Sequence, residues 1–295
     1  MKPKDLLAYL GERFPTVNAA LFAVLFLTVY SVATFFSSPS GLPFGWREGL
    51  GMVATISFFF RLRVFDEIKD YRQDAVNHPH RVLQSGRVNL KQLVRLSLAG
   101  VVPELAWSAV MGLPTGICWL LAVAYSLLMR YEFFAGDYLK QRLVLYALSH
   151  LLIMPFIIGW IWSAYDPGHG PNPFLVLALL SLLGGFSFEL ARKIHAPEAE
   201  RAGIDSYSKS LGYAGAIATV LLVLLAGVAV QCYLLFLLRA GALPFAVIGL
   251  LYGLTGITYG LSLRRPRQKI LRRAELLVSL FMAASYLSII AEVNF

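Results

Sequence analysis

Carboxylates are the side chains of this sequence whose type and spacing could do chemistry. Eight of the 17 acidic residues fall in two polar stretches: Asp66, Glu67, Asp70 and Asp74, then Glu189, Glu198, Glu200 and Asp205. The first stretch follows an apolar run ending at Phe65. Continued as a helix at 100° per residue, its four carboxylates fall at about 0°, 100°, 40° and 80° around the axis. They then aim oxygen ligands into one volume, where like charges repel unless something positive sits among them. One candidate is Arg63, at about 60° on the same face. The other is a divalent cation, since Mg2+ takes carboxylate oxygens and bridges to substrate phosphates. Spacing leaves the two open.

The second stretch, "FELARKIHAPEAERAGIDSYSKSLG", pairs Glu189 with Lys193 on one helical face, and Pro197 ends or bends that helix. Two acidic clusters, each accompanied by cations, suit a diphosphate held between Mg2+ ions and Arg or Lys. Lys69, Arg72, Arg81, Arg130 and Lys193 are the candidate diphosphate contacts. His78, His80 and His195 lack metal-ligand spacing, and His150 reads as an ordinary helix residue.

The elements that must position these residues are apolar. Of 295 residues, 58% are hydrophobic and 15% charged, and the mean hydropathy is +0.65. A soluble domain carries about 25% charged residues. Nine segments approach the roughly 20 residues that a spanning helix needs: 17–37, 48–65, 93–112, 115–130, 142–163, 173–190, 211–236, 243–262 and 273–292. Between them, 24 of the 26 Lys and Arg fall on one side of the alternation, leaving Arg47 and Arg239 on the other. The positive-inside rule makes the basic side cytoplasmic. That puts the N-terminus, Asn77 and Gly203 inside, with Gly168 and the C-terminal Phe295 outside. The formal charge of +9 is thus a topology signal and an attraction for anionic membrane lipids, not a nucleic-acid surface. The expected fold is all-α, one domain over residues 1–295, multi-pass in the cell (inner) membrane. Cys118 and Cys232 lie in apolar runs and read as packed thiols.

The stretch "DEIKDYRQD" resembles the first signature of the UbiA superfamily of intramembrane prenyltransferases, Asn-Asp-x-x-Asp-x-x-x-Asp. Asp66 replaces Asn and Glu67 the first Asp, while Asp70 and Asp74 match. "HPHRVLQSGRV" is similar to the family's continuation, with Val82 in place of Pro. The second signature departs more, since glutamates Glu189, Glu198 and Glu200 stand where Asp residues are usual. Arg130, in "LMRYEFF", matches a place where the family often carries a basic residue.

The resemblance implies nine helices around a central cavity capped by two polar loops. It implies that Asp66, Glu67, Asp70 and Asp74 are catalytic metal ligands, joined by Glu189 and Glu198, with Mg2+ as the cofactor. The substrate would be an isoprenyl diphosphate whose allylic C–O bond ionises, and a lipophilic acceptor would capture the cation. Stabilised leaving charge and a dry apolar pocket are the physical requirements. Phe58, Phe59, Phe60 and Tyr125 are candidate pocket walls. Two alternatives remain: a membrane terpene cyclase starting from the same ionisation, and a secondary transporter or metal permease whose intramembrane acids mark an ion path.

Overall fold

The computed structural model describes residues 2–37, 44–165, 172–200 and 205–295; the topology markers Gly168 and Gly203 lie outside them. Helices dominate, and no strand occurs among the described residues. An amphipathic α1 (Pro3–Arg13) precedes α2 (Thr16–Ser37) and α3 (Trp46–Asn77). Then come α4 (Leu90–Ala99), α5 (Val101–Met111), α6 (Leu113–Arg130) and the short α7 (Gly136–Lys140). α8 (Leu143–Leu151), α9 (Ile153–Trp162) and α10 (Asn172–Arg192) follow. The chain closes with α11 (Tyr207–Leu211), α12 (Tyr213–Leu237), α13 (Ala242–Arg264) and α14 (Gln268–Asn294).

Eight helical stretches are long and apolar enough to cross a membrane, counting α4 with α5 and α8 with α9 as single crossings. The ninth expected span is α3. It is long enough, but Glu48, Arg61 and Arg63 make it more charged than the others. At 32 residues it is about 48 Å long, against a hydrocarbon layer of about 30 Å. Its last turns therefore project beyond the apolar layer, carrying all four carboxylates of the first cluster. Glu48 opens the helix by accepting the Gly45 N–H at 2.8 Å. Pro79, just past its end, disfavours helical geometry at His78.

The third and fifth spans are broken where the sequence loses helical hydrogen bonds. Pro155 has no N–H to give Leu151, and the axis breaks at Leu152. Gly100 separates α4 from α5, and its carbonyl accepts the Ser57 hydroxyl at 2.9 Å. Gly212, at φ 73, supplies the left-handed residue that turns α11 into α12.

One apolar core joins α2, α3, α5, α6 and α9 through Phe26, Phe58, Trp107 and Trp160. A second joins α10, α12, α13 and α14 around Tyr259 and Phe281. A third seats α1 against α3 and α4 through Tyr9, Phe14, Phe60 and Val64. Leu222, Phe236, Leu250 and Leu254 point outward, as lipid-facing side chains must. Helices of both larger cores enclose a central apolar chamber of about 270 Å³, walled by Phe22, Phe59, Leu151, Met154, Phe188 and Tyr286 among others.

Candidate active site

Around the α3 axis Phe59, Asp66 and Asp70 lie within about 40° of one another. Phe59 lines the chamber, so these two carboxylates stand above it on the same face. No hydrogen bond or ion pair closes on Asp70 among the described residues, and Asp66 is half exposed, with Lys69 Nζ 3.5 Å away. Burial pushes the Asp70 carboxyl above the usual aspartate range; Asp66, Asp74 and Glu132 reinforce this and Lys69 opposes it.

The other two carboxylates turn toward α1. Glu67 is buried, and its Oε1 accepts from Arg13 Nε at 2.7 Å and from Arg63 at 2.8 Å. Asp74 accepts from Arg81 at 2.6 Å, and Arg13 lies 3.7 Å from the same oxygen. Arg13 thus bridges two of the four acids. α1 is fixed there by Glu12, which accepts the Val82 N–H at 2.9 Å, and by Asp5, 3.2 Å from Arg87.

A second cavity, of about 180 Å³, lies between α3, α6 and α8. Asp66, Lys69, Arg130, His150 and Ser126 line it. Lys69 donates to the Tyr146 hydroxyl at 2.9 Å. Burial alone would lower the Lys69 ammonium, but this hydrogen bond and Asp66 outweigh it and hold the pKa above the usual lysine value. Arg130 lies over the Phe65 ring at 5.1 Å, a cation–π contact that leaves its N–H groups directed elsewhere. Glu132, at φ 49, begins three successive left-handed residues and pairs with Lys140 at 2.9 Å. Arg72 is exposed, with no ion pair among the described residues.

Across the chamber, Glu189 follows the wall residue Phe188 and is held by Arg192 at 2.6 Å and Lys193 at 2.7 Å. Glu198 instead accepts the Gln268 N–H at 2.9 Å, while Gln268 Oε1 accepts the Ala196 N–H at 2.9 Å. This reciprocal pair caps α14 in the manner of a capping box. Glu200 accepts the Ser206 hydroxyl at 2.7 Å.

Among the described residues, no three acidic, His or Cys side chains converge on a single ion position. Mg2+ commonly takes only one or two carboxylates and completes its shell with water and substrate phosphate. Asp66, which lines a cavity, and Asp70, whose oxygens meet no hydrogen-bond or ion-pair partner among the described residues, fit that habit.

Of the aromatic candidates, Phe59 alone reaches the chamber. Phe58 is buried 5.7 Å from Trp160, Phe60 packs on Phe14, and Tyr125 stacks on Phe156 and donates to the Ser149 carbonyl. Inside the bundle Glu104 is tied to Arg61 at 2.9 Å and to Trp119 Nε1 at 2.9 Å. Sequence reasoning passed over Arg13, Tyr146 and His150 as parts of the site. Arg13 carried one faint signal, its place at the end of an amphipathic helix.

Solved structures share this architecture. A digeranylgeranylglyceryl phosphate synthase superposes with a TM-score of 0.69 at 17% identity, over 98% of this chain and 99% of that one. A UbiA homologue from Aeropyrum pernix K1 gives 0.65 at 19% identity, over 91% and 97%. A UbiA homologue from Archaeoglobus fulgidus, bound to GPP and Mg2+, gives 0.55 at 16% identity, over 96% and 99%. No curated protein matches the chain by sequence. The model of the UbiA prenyltransferase family matches residues 24–284, and the chain belongs to that family.

Proposed function

We propose that this multi-pass membrane protein transfers an isoprenyl group from an isoprenyl diphosphate to a lipophilic acceptor, with the whole chain, 1–295, acting as one unit. One observation carries this reading: carboxylates Asp66 and Asp70 share one face of α3 with Phe59, a wall residue of the apolar chamber about two turns earlier. A substrate with a diphosphate head and a hydrocarbon tail matches that stacking of charge over grease. The Archaeoglobus fulgidus relative, holding GPP with Mg2+, supports it.

In this scheme Asp66 and Asp70 would hold Mg2+, with Glu189 contributing from α10, and Asp74 would join them only by leaving Arg81. The bound ion would neutralise diphosphate charge as the allylic C–O bond breaks. Lys69 and Arg130, on the wall of the second cavity, take diphosphate oxygens, with Arg81 contributing from beside Asp74, Lys193 from beside Glu189, and Arg72 further out. The chamber keeps water from the allylic cation, which the acceptor captures. Glu67 and Arg13 fix the height of α3 beside α1, and Glu198 fixes the second loop to α14. The basic rim is cytoplasmic, with Phe295 outside; reporter fusions at Asn77 and Phe295 check this.

Purified protein with radiolabelled isoprenyl diphosphates, Mg2+ and membrane lipid extract tests the reaction. Labelled prenylated lipid should form with Mg2+ and not with EDTA. Binding without any Mg2+-dependent product would refute the proposal.

A further inference from the structure

The central chamber has a depth scale written on two antiparallel helices. On α10, Phe188, Gly185 and Ser181 line it in descending order away from Glu189; on α14, Ser279, Ala283 and Tyr286 descend in parallel. Gly185 is four residues below Glu189 and four above Ser181, so each step is about 6 Å, a little over one helical turn. A side chain at Gly185 would enter a crowded level, since a Cβ there meets Leu151 Cδ2 at 2.8 Å. The neighbouring Gly184 faces Met282, 3.5 Å from such a Cβ; Gly185, one residue round the helix, faces Leu151 instead, and Leu151, Gly185, Met282 and Ala283 all line the chamber.

Volume sets the second scale. The chamber holds about 270 Å³, on the order of nine times the ~30 Å³ that one water occupies in the liquid. Two isoprene units have ten carbons. With the head at Asp66 and Asp70, the first unit reaches from the rim at Phe188 to Gly185, and the second from Gly185 toward Ser181 and Tyr286.

We propose that Gly185 is the specificity-determining residue for the second isoprene unit of the donor, because its missing side chain lets Leu151 sit back in the wall, and a larger residue would crowd Leu151 and narrow the chamber at this level. This rests on the prenyl-transfer reading of the same site. A leucine at Gly185, or at Ala283 on the facing wall, closes the lower half while leaving the rim free.

The test is calorimetric, on the full chain in nanodiscs with Mg2+, using dimethylallyl, geranyl and farnesyl diphosphates. The wild type should bind geranyl more tightly than dimethylallyl diphosphate by on the order of 100-fold, from apolar area buried below Gly185. In Gly185→Leu and in Ala283→Leu that ratio should collapse to near one, chiefly through loss of geranyl and farnesyl affinity. Retained dimethylallyl binding shows that each variant is folded. An unchanged ratio in both variants, or a wild type that does not distinguish the two donors, overturns the gauge. A wild type that binds none of the three overturns the gauge and the prenyl-transfer reading together. If Asp70→Asn binds as well as wild type, the diphosphate placement falls while the gauge stands.

Discussion

The two acidic clusters differ in what supplies their counter-charge. On α3 the carboxylates ride one continuous helix. Two are met by Arg13 from α1; of the others, Asp66 lines a cavity beside Lys69 and Asp70 has no hydrogen-bond or ion-pair partner among the described residues. On the α10 side, Glu189 is neutralised by Arg192 and Lys193 of its own helix, and Glu198 is spent on the first backbone N–H of α14. A helix face holds its charges in fixed mutual register, so they stay crowded and need an outside cation. Glu189 stands alone at the end of its helix and Glu198 in the segment after it, so each meets its own donors, one near in sequence and the other 70 residues away. The comparison teaches that acidic content says little about availability; the backbone that carries the acids decides it.

The sharpest break of that comparison is Asp70→Ala. With no hydrogen bond or ion pair to lose among the described residues, its stability should change by no more than ~0.5 kcal/mol. Its Mg2+-dependent turnover should fall by on the order of 10³-fold, measured with labelled isoprenyl diphosphate beside a thermal melt. The raised Asp70 pKa fixes a sign as well. The proton competes with metal from a higher pH than at an ordinary aspartate, so Mg2+ affinity should decline earlier as pH falls. A Kd–pH series measures this, and Asp70→Asn should flatten that part of the profile.

Arg13→Ala comes next, and it acts on stability. It leaves the buried Glu67 with Arg63 alone and removes one of two cations near Asp74. Stripping one partner from a buried charge costs ~3–5 kcal/mol; Arg63 remains, so the lower end, about 3 kcal/mol, is expected in a denaturant titration. Arg13→Ala/Glu67→Gln should recover much of the loss, because the uncompensated charge is then gone. No recovery would mean that Arg13 acts through something other than Glu67.

How much of this was legible follows the same division. The helical period of 3.6 put Arg63 within reach of Glu67, where it is found at 2.8 Å, but the expectation that all four carboxylates aim into one volume fails: Glu67 and Asp74 turn toward Arg13 of α1, away from Asp66 and Asp70. Apolar length located the spans, but by that measure the fifth reads as one continuous segment, 142–163, and its break at Leu152 does not show. Contacts that join distant parts of the chain were not legible. Arg13 meets Glu67 across 54 residues, Lys69 meets Tyr146 across 77, and Glu198 meets Gln268 across 70. Glutamate spacing in a loop carries no period, so it could not separate a metal ligand from a helix cap.

Glu198→Ala sharpens the second cluster. Losing a cap costs ~1 kcal/mol, so the melt should drop modestly while Mg2+ affinity stays within about twofold. Glu189→Ala should do the opposite, weakening Mg2+ and diphosphate binding together with little change in the melt. If Glu198→Ala instead weakens Mg2+ and diphosphate together, the second loop opens its cap to reach the ion.

Lys193 gives the smallest expected effect on stability. Its pair with Glu189 is an i,i+4 contact at 2.7 Å on a partly exposed helix end, and such pairs contribute ~0.2–0.5 kcal/mol. Lys193→Ala should therefore barely move the melt, and donor affinity is the informative readout. If Lys193 serves only to neutralise Glu189, its removal matters in the wild type and not in a Glu189→Ala background, because the shared partner is already gone. If it also touches diphosphate, as proposed, donor affinity falls in both backgrounds by a similar factor. Calorimetry of geranyl diphosphate on the four proteins of that cycle separates the two. A cycle in which the loss vanishes with Glu189 would remove Lys193 from the site and leave the basic side of the diphosphate to Lys69, Arg81 and Arg130.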